Sequence, residues 1–302
     1  MKKMFRGTYT AIVTPMTADN IIDWQAFTQL IERQIAGGID GIVFVGTTGE
    51  SPTLSHAEHE EILYRSVEIV RGRCQVIHGT GSNNTVEAVT FAQAAAKAGA
   101  DAQLVVNPYY NKPTQEGLFA HFSAIADATD LPVVLYNIQG RSAINLKTDT
   151  LLRLAEHPHI VGVKEASGDI AQMMEVIRHT SEDFYCLGGD DALALPFMAM
   201  GGDGIVSVIS NAVPAAMTAM VRQLLEGDFE RGRKAFYDLL PLMHFSFIES
   251  NPVPMKELLA QLGYIRADVR LPLCRGRAET IAAAAEIAAL VRSLEPEYQP
   301  AR

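Results

Sequence analysis

Eight short β-branched runs, each followed by a stretch with helical periodicity, recur along the first two thirds of this chain, and that alternation leaves few folds open to it. Strands are expected near residues 8–13 (Thr-Tyr-Thr-Ala-Ile-Val), 41–45, 74–78, 102–106, 132–136, 160–164, 184–187 and 204–208. The intervening segments read as helices. In 55–71, for example, Leu63, Val67 and Val70 recur on one face, and Ser55 with Glu58 forms a capping box. Gly38-Ile39-Asp40-Gly41, Gly99-Ala100-Asp101 and Gly202-Asp203-Gly204 place glycine where a helix stops and a strand begins. Strands this apolar need cover on both faces, which means a parallel sheet wrapped by helices. Eight of them fit a closed barrel better than an open doubly wound sheet, so the expected fold is α/β, a (β/α)8 TIM barrel.

No strand pattern follows Asn211. Segments 212–226, 229–248, 253–262 and 277–293 are helical in pattern, more than the one helix that closes a barrel. The surplus is a C-terminal helical extension, with Pro252 and Pro254 as breaks, packed on the barrel or on a neighbouring subunit. The division is a catalytic barrel over residues 1–227 and the extension over 228–302.

Composition narrows the function. The 302 residues are 48% hydrophobic, enough for a large core, and carry a net charge of −10 without a Lys/Arg cluster, which argues against a nucleic-acid partner. Cys74, Cys186 and Cys274 are odd in number and lack metal-ligand spacing, so they read as buried thiols in a reducing compartment. The start, Met1-Lys2-Lys3-Met4-Phe5-Arg6-Gly7-Thr8, lacks the apolar core of a signal peptide, and no run of 18 uninterrupted apolar residues follows. A cytoplasmic protein without a membrane partner is expected.

A barrel carries its chemistry at the carboxyl ends of its strands. There the chain places Gly46-Thr47-Thr48-Gly49-Glu50-Ser51 after strand two, Asn107-Pro108-Tyr109-Tyr110-Asn111 after strand four, and Tyr136-Asn137 with nearby Arg141 after strand five. Strand six, Ile160-Val161-Gly162-Val163-Lys164, ends in a lysine. An ammonium closing a buried run loses several kcal/mol of hydration unless it is paired, which makes Lys164 the candidate catalytic amine. The Gly-Thr-Thr-Gly turn offers backbone N–H groups and two hydroxyls, a cradle for a carboxylate rather than a P-loop. An amine facing a carboxylate cradle points to Schiff-base chemistry on a 2-oxo acid. For that the barrel must favour the neutral amine by desolvation or a neighbouring cation, while tyrosine and threonine hydroxyls relay protons.

Each element has a plainer reading. Strand-end lysines are usually salt-bridged, Tyr109 and Tyr110 serve equally well as an aromatic anchor at an interface, and a lone Arg141 is by default a solvated loop cation. His56 and His59 open a helix without a third ligand nearby, so no metal is assigned to them. Asp190-Asp191 reads as a helix N-cap rather than a carboxylate pair.

Taken together, these segments resemble the dihydrodipicolinate synthase family, part of the pyruvate-dependent class I aldolases that also include N-acetylneuraminate lyase. The resemblance covers nearly the whole chain and rests on Gly46-Thr47-Thr48-Gly49-Glu50-Ser51, Asn107-Pro108-Tyr109-Tyr110-Asn111-Lys112-Pro113, Leu135-Tyr136-Asn137, Val163-Lys164-Glu165-Ala166, Gly189-Asp190-Asp191 and Asn251-Pro252-Val253-Pro254-Met255-Lys256. It implies that Lys164 condenses with pyruvate and that the enamine attacks L-aspartate 4-semialdehyde, giving 4-hydroxy-tetrahydrodipicolinate on the diaminopimelate route to L-lysine. It further implies a relay of Thr47, Tyr136 and Tyr110, the last from an adjacent subunit. By the same match Thr47 and Thr48 hold the pyruvate carboxylate, Arg141 holds the semialdehyde carboxylate, and Gly189 and Val206 lie near the lysine. The assembly implied is a homotetramer, a dimer of tight dimers, with no metal or organic cofactor. Some members are inhibited by L-lysine at the tight-dimer interface, and the matching positions here are Ser51, His56, His59, Asn83, Glu87 and Tyr109.

One stretch departs from the family pattern. Ile138-Gln139-Gly140-Arg141-Ser142-Ala143 lacks the usual proline and the usual glycine, which frees φ at residue 139 and is expected to limit a positive φ at Ala143. The departure leaves room for a different electrophile. Another pyruvate-type aldolase or a 2-oxo-sugar-acid dehydratase is therefore the first rival, and a carboxylate-binding barrel without turnover the second.

Overall fold

The structure is a computed structural model that describes residues 5–298; residues 1–4 and 299–302, the ends of the expected barrel and extension, lie outside the described residues. Eight parallel strands close in sequence order into one barrel. They are β1 (Gly7–Ala11), β2 (Gly41–Phe44), β3 (Gln75–Gly79), β4 (Ala102–Val106), β5 (Val133–Asn137), β6 (Ile160–Glu165), β7 (Tyr185–Gly188) and β8 (Gly204–Ser207). Each overlaps its expected run, shifted by two residues at most, and no strand follows Asn211 among the described residues.

The outer layer is α1 (Trp24–Ala36), α2 (His56–Val70), α3 (Thr85–Ala98), α4 (Gln115–Ala126), the single turn α5 (Gln139–Ser142), α6 (Thr148–Ala155), α7 (Ile170–His179), α8 (Ala194–Ala199) and α9 (Pro214–Leu225). The helix α2 begins at the capping box of Ser55 and Glu58. The three glycine joints share a device that the sequence pattern only hinted at. The carboxylates of Asp40, Asp101 and Asp203 accept the backbone N–H of Thr8, Val76 and Cys186 at 2.8, 2.7 and 3.0 Å. Each aspartate thus ties the start of an even-numbered strand to the preceding odd-numbered one, at the end of the barrel away from the site.

Alternation sorts the side chains into two cores. Tyr9, Val43, Ile77, Leu104, Val134 and Val206 fill the barrel interior, with Phe5 beneath them, edge-on to Tyr185 at 5.5 Å. The outward-facing residues, such as Val105, Leu135 and Val163, join the helices in the larger cluster.

Beyond α9 lie α10 (Phe229–Phe245), α11 (Val253–Gln261) and α12 (Ala278–Tyr298). α10 packs on α9, while α12 packs on α11 and α9. The helix α10 starts where Asp228 caps it. The loop between α11 and α12 returns to the barrel through Arg270, whose guanidinium bonds Glu58 at 2.5 and 2.9 Å and the carbonyls of Asn20 and Thr53. Cys274 is exposed and Cys74 half-buried, which corrects the expectation of three buried thiols: Cys274 lies in that same surface loop, and only Cys186 belongs to the core.

The hydrogen bond from Arg270 holds the Glu58 carboxyl down to about 2 against an ordinary 4.5, so its stabilisation is complete above about pH 4.5 and is lost as pH falls toward 2. Glu58→Gln is expected to lower stability at pH 7 by about 1–2 kcal/mol and to converge with the parent protein near pH 2. Denaturant unfolding of both proteins at several pH values checks this; a gap of equal size at pH 7 and at the acid end would refute it.

Candidate active site

Tyr136 of β5 and Lys164 of β6 are paired across the sheet, so both point into the barrel at its carboxyl end. The Lys164 Nζ lies 4.1 Å from the centre of the Tyr136 ring. Lys164 is only 5% exposed, yet it makes no hydrogen bond or ion pair among the described residues. Among the described residues, the other buried carboxylates and Lys256 each have at least one partner. Lys256 pairs with Glu50, Glu257 with Arg275, Glu165 accepts the Ser167 N–H, Asp191 those of Val208 and Ile209, and Asp203 that of Cys186. A lone buried amine beside a phenol is what nucleophilic catalysis requires. Gly189, just past β7, leaves room for it: a Cβ there would sit 2.8 Å from the Lys164 Cε and 3.1 Å from its Cγ.

The turn after β2 is strained at both ends. Val45 and Glu50 hold left-handed φ of 53° and 59°, at a cost of about 1–2 kcal/mol each. Between them the N–H groups of Gly49, Glu50 and Ser51 fold back onto the carbonyls of Gly46 and Thr47 at 3.0–3.3 Å. The N–H groups of Thr47 and Thr48 are left without an acceptor among the described residues, as a carboxylate cradle demands. From the extension, the Asn251 Nδ2 donates to the Thr48 Oγ1 at 2.8 Å, and Lys256 forms a fully buried pair with Glu50. Lys256 also donates to the Asp268 carbonyl at 2.8 Å, and the Arg270 N–H donates to the other Glu50 oxygen at 3.0 Å. Burial lowers the Lys256 pKa, and the Glu50 charge opposes that shift.

A cavity of about 260 Å³ opens at this end of the barrel, walled by Thr47, Ser51, Tyr109, Tyr136 and Arg141 among others. Lys164 lies against Tyr136, Thr48 is buried under the turn, and Val206 shares the inner core with Tyr136. Tyr110 is not brought into the cavity of its own chain. It is 88% exposed, at a left-handed φ of 71°.

Arg141 is carried by α5, exposed and without a side-chain partner among the described residues. Ala143 corrects one expectation, for it does adopt a positive φ, 58°. It ends a one-turn helix, where the left-handed conformation lets its N–H reach the Gln139 carbonyl at 2.9 Å. The Ser142 Oγ braces the same turn between the carbonyls of Ile138 and Ile144. A chain of buried and half-buried amides secures the loop to the sheet. Asn107 donates to Asn137 at 2.9 Å, Asn137 to Asn145 at 2.8 Å and to Glu165 at 3.1 Å, and Asn145 to Gln172 at 2.7 Å. Burial raises the Glu165 pKa, and these donors work against that shift.

The positions matched to an effector site make the following contacts. His56 pairs with Glu87 at 2.8 Å, the Ser82 hydroxyl bonds Glu87, His59 reaches the Ser51 carbonyl at 3.1 Å, and Asn83 accepts from Asn111 at 2.9 Å. His59 stacks on Phe91 at 4.7 Å, and burial lowers its pKa. Of the two adjacent aspartates only Asp190 is a cap, accepting from the Ala192 N–H. Asp191 is instead buried, its pKa raised to about 6 by desolvation, and holds the chain after β8 by the N–H groups of Val208 and Ile209. That role was missed, as was that of Glu50, because partners 17 and 206 residues away leave no local signal.

A sequence model of the dihydrodipicolinate synthetase family matches residues 4–289. A protein of Koribacter versatilis named 4-hydroxy-tetrahydrodipicolinate synthase is 50% identical over 285 residues, covering 94% of this chain and 95% of that one. Among solved structures, a chloride-inhibited dihydrodipicolinate synthase from Acinetobacter baumannii complexed with pyruvate superposes with a TM-score of 0.93 at 39% identity, covering 95% of this chain and 99% of that one. The synthase from Cyanidioschyzon merolae with lysine bound gives 0.93 at 39% identity, covering 97% and 100%.

Proposed function

The chain belongs to the dihydrodipicolinate synthetase family, and on that footing we propose that it condenses pyruvate with L-aspartate 4-semialdehyde to 4-hydroxy-tetrahydrodipicolinate. The observation that carries this reading is the buried Lys164 amine, without a counter-ion among the described residues, against Tyr136, which lines the same cavity as Thr47 of the turn. Lys164 attacks the keto carbon of pyruvate, and the carbinolamine loses water to give an iminium. Loss of a methyl proton yields the enamine, whose carbon bonds the aldehyde carbon of the semialdehyde. The amine of the bound product then displaces Lys164 and closes the ring. Each stage moves a proton, for which Tyr136 and Thr47 lie on the cavity wall and Tyr110 is supplied by the neighbouring subunit of a tight dimer. The exposure of Tyr110 supports that last assignment.

Thr47 and Thr48 receive the pyruvate carboxylate on their unused N–H groups. Arg141, unpaired at the rim, receives that of the semialdehyde in a bidentate contact. The same reading gives residues 1–227 as the catalytic barrel and 228–302 as the extension of a cytoplasmic dimer of tight dimers. No described helix is long and apolar enough to cross a membrane. L-lysine is the proposed feedback inhibitor: its ammonium would take the place of His56 on Glu87, whose pKa Ser82 and His56 already hold low.

Borohydride reduction in the presence of pyruvate is expected to fix a pyruvate-derived mass on Lys164, and Lys164→Ala to abolish both adduct and turnover while the fold is kept. A folded protein that forms no adduct would refute the nucleophile. Arg141→Ala is expected to lower kcat/KM for the semialdehyde roughly a hundredfold while leaving pyruvate trapping intact; equal losses for both substrates would show the arginine misplaced. Millimolar L-lysine is expected to inhibit turnover and raise the melting temperature, and Glu87→Gln to weaken both effects; no response in the parent protein would rule out the effector site.

A further inference from the structure

We propose that Asn251, on the segment leading into α11, is a positioning residue of the keto-acid site, acting through the Thr48 hydroxyl; the proposal rests on the pyruvate reading above. The Asn251 Nδ2 donates to the Thr48 Oγ1 at 2.8 Å, across 203 residues of sequence, with both side chains buried. A hydroxyl has one proton to give and two lone pairs to offer. With the amide N–H engaging the oxygen, the Thr48 proton is left over, and no described residue accepts it. It adds a third donor to the free N–H groups of Thr47 and Thr48, all of them suited to one carboxylate. The turn cannot swing away to spend that proton elsewhere, because Glu50 at its far end is locked to Lys256. Asn251 therefore sets the direction of the Thr48 hydroxyl, and the extension becomes part of substrate recognition rather than a cover over the barrel.

Two substitutions separate this role from mere support. Asn251→Ala removes the donor and lets the hydroxyl proton turn away from the substrate. Asn251→Asp keeps the shape but reverses the polarity, since a carboxylate accepts the Thr48 proton and sets a like charge near the substrate anion. In full-length protein, borohydride trapping over a range of pyruvate concentrations is expected to show half-saturation raised about tenfold for Asn251→Ala and further for Asn251→Asp. The KM for the semialdehyde, measured at saturating pyruvate, is expected to stay within about twofold of the parent value for both variants. Parent-like half-saturation in the Asp variant would show that the hydroxyl proton is already spent on residue 251 and would overturn the proposal. Equal rises in the KM of both substrates would do the same, by showing general disorder of the site. Absence of any adduct in the parent protein would overturn the pyruvate reading and this proposal with it, whereas parent trapping with unchanged variants would overturn the proposal alone.

Discussion

The pairing of Glu50 with Lys256 is the constraint on which the site depends. Both side chains are fully buried, so each has lost its hydration, and their mutual attraction offsets that loss only with further hydrogen bonds around them. Those bonds are present: Glu50 also receives the Arg270 N–H, and Lys256 also reaches the Asp268 carbonyl. A pair of hydrophobic residues of the same volume would be as stable. What the ions add is register. The carboxylate draws the turn into one conformation, left-handed Glu50 included, and the ammonium fixes where α11 sits against it. Two segments 206 residues apart are thereby held against one another at the turn.

Against this background the isolation of Lys164 acquires its meaning. Among the described residues, the other buried carboxylates and Lys256 each have a partner, by ion pair or by backbone N–H, and Lys164 faces a phenol ring. The ring face attracts a cation weakly and does not compete for the lone pair of a neutral amine. A carboxylate in its place would tie the amine into an ion pair. Strand pairing enforces the arrangement, because Tyr136 and Lys164 are register partners, and neither turns outward unless a whole strand slips by one residue.

The fold was largely legible in the sequence because its signals are local. Period-two runs, a capping box and glycines at the helix ends each declare themselves within a dozen residues, and eight repetitions left little choice of topology. The residues of the candidate site stood out for a related reason, since they sit at or just past strand ends, where a polar residue interrupts an apolar run. What the sequence did not show is how those residues are held. Asn251 under Thr48, Asp191 beneath the end of β8 and the amide chain from Asn107 to Gln172 are contacts between distant segments, and each looks like an ordinary polar residue in a helix end or loop. Ala143 marks the opposite limit. Its side chain argued against a left-handed backbone, but a one-turn helix needed such a residue to end it, and local bonds from Ser142 and Ala143 hold that conformation.

That balance bears on the rim of the site. The loop of Arg141 lacks the proline and the glycine that would fix it through backbone preference alone, so its conformation rests on Ser142, on Asn137 and on the amides that lead to Glu165. Glu165 follows Lys164 directly in β6 and faces the other side of the strand. The segment that carries the Lys164 amine therefore also anchors the loop that carries Arg141, through bonds of 3.1 and 2.8 Å that the Asn137 Nδ2 donates to Glu165 and Asn145. On the proposed function, recognition of the electrophile is in this way mechanically joined to the strand of Lys164. A family-typical backbone at 138–143 is not needed to hold the arginine in place.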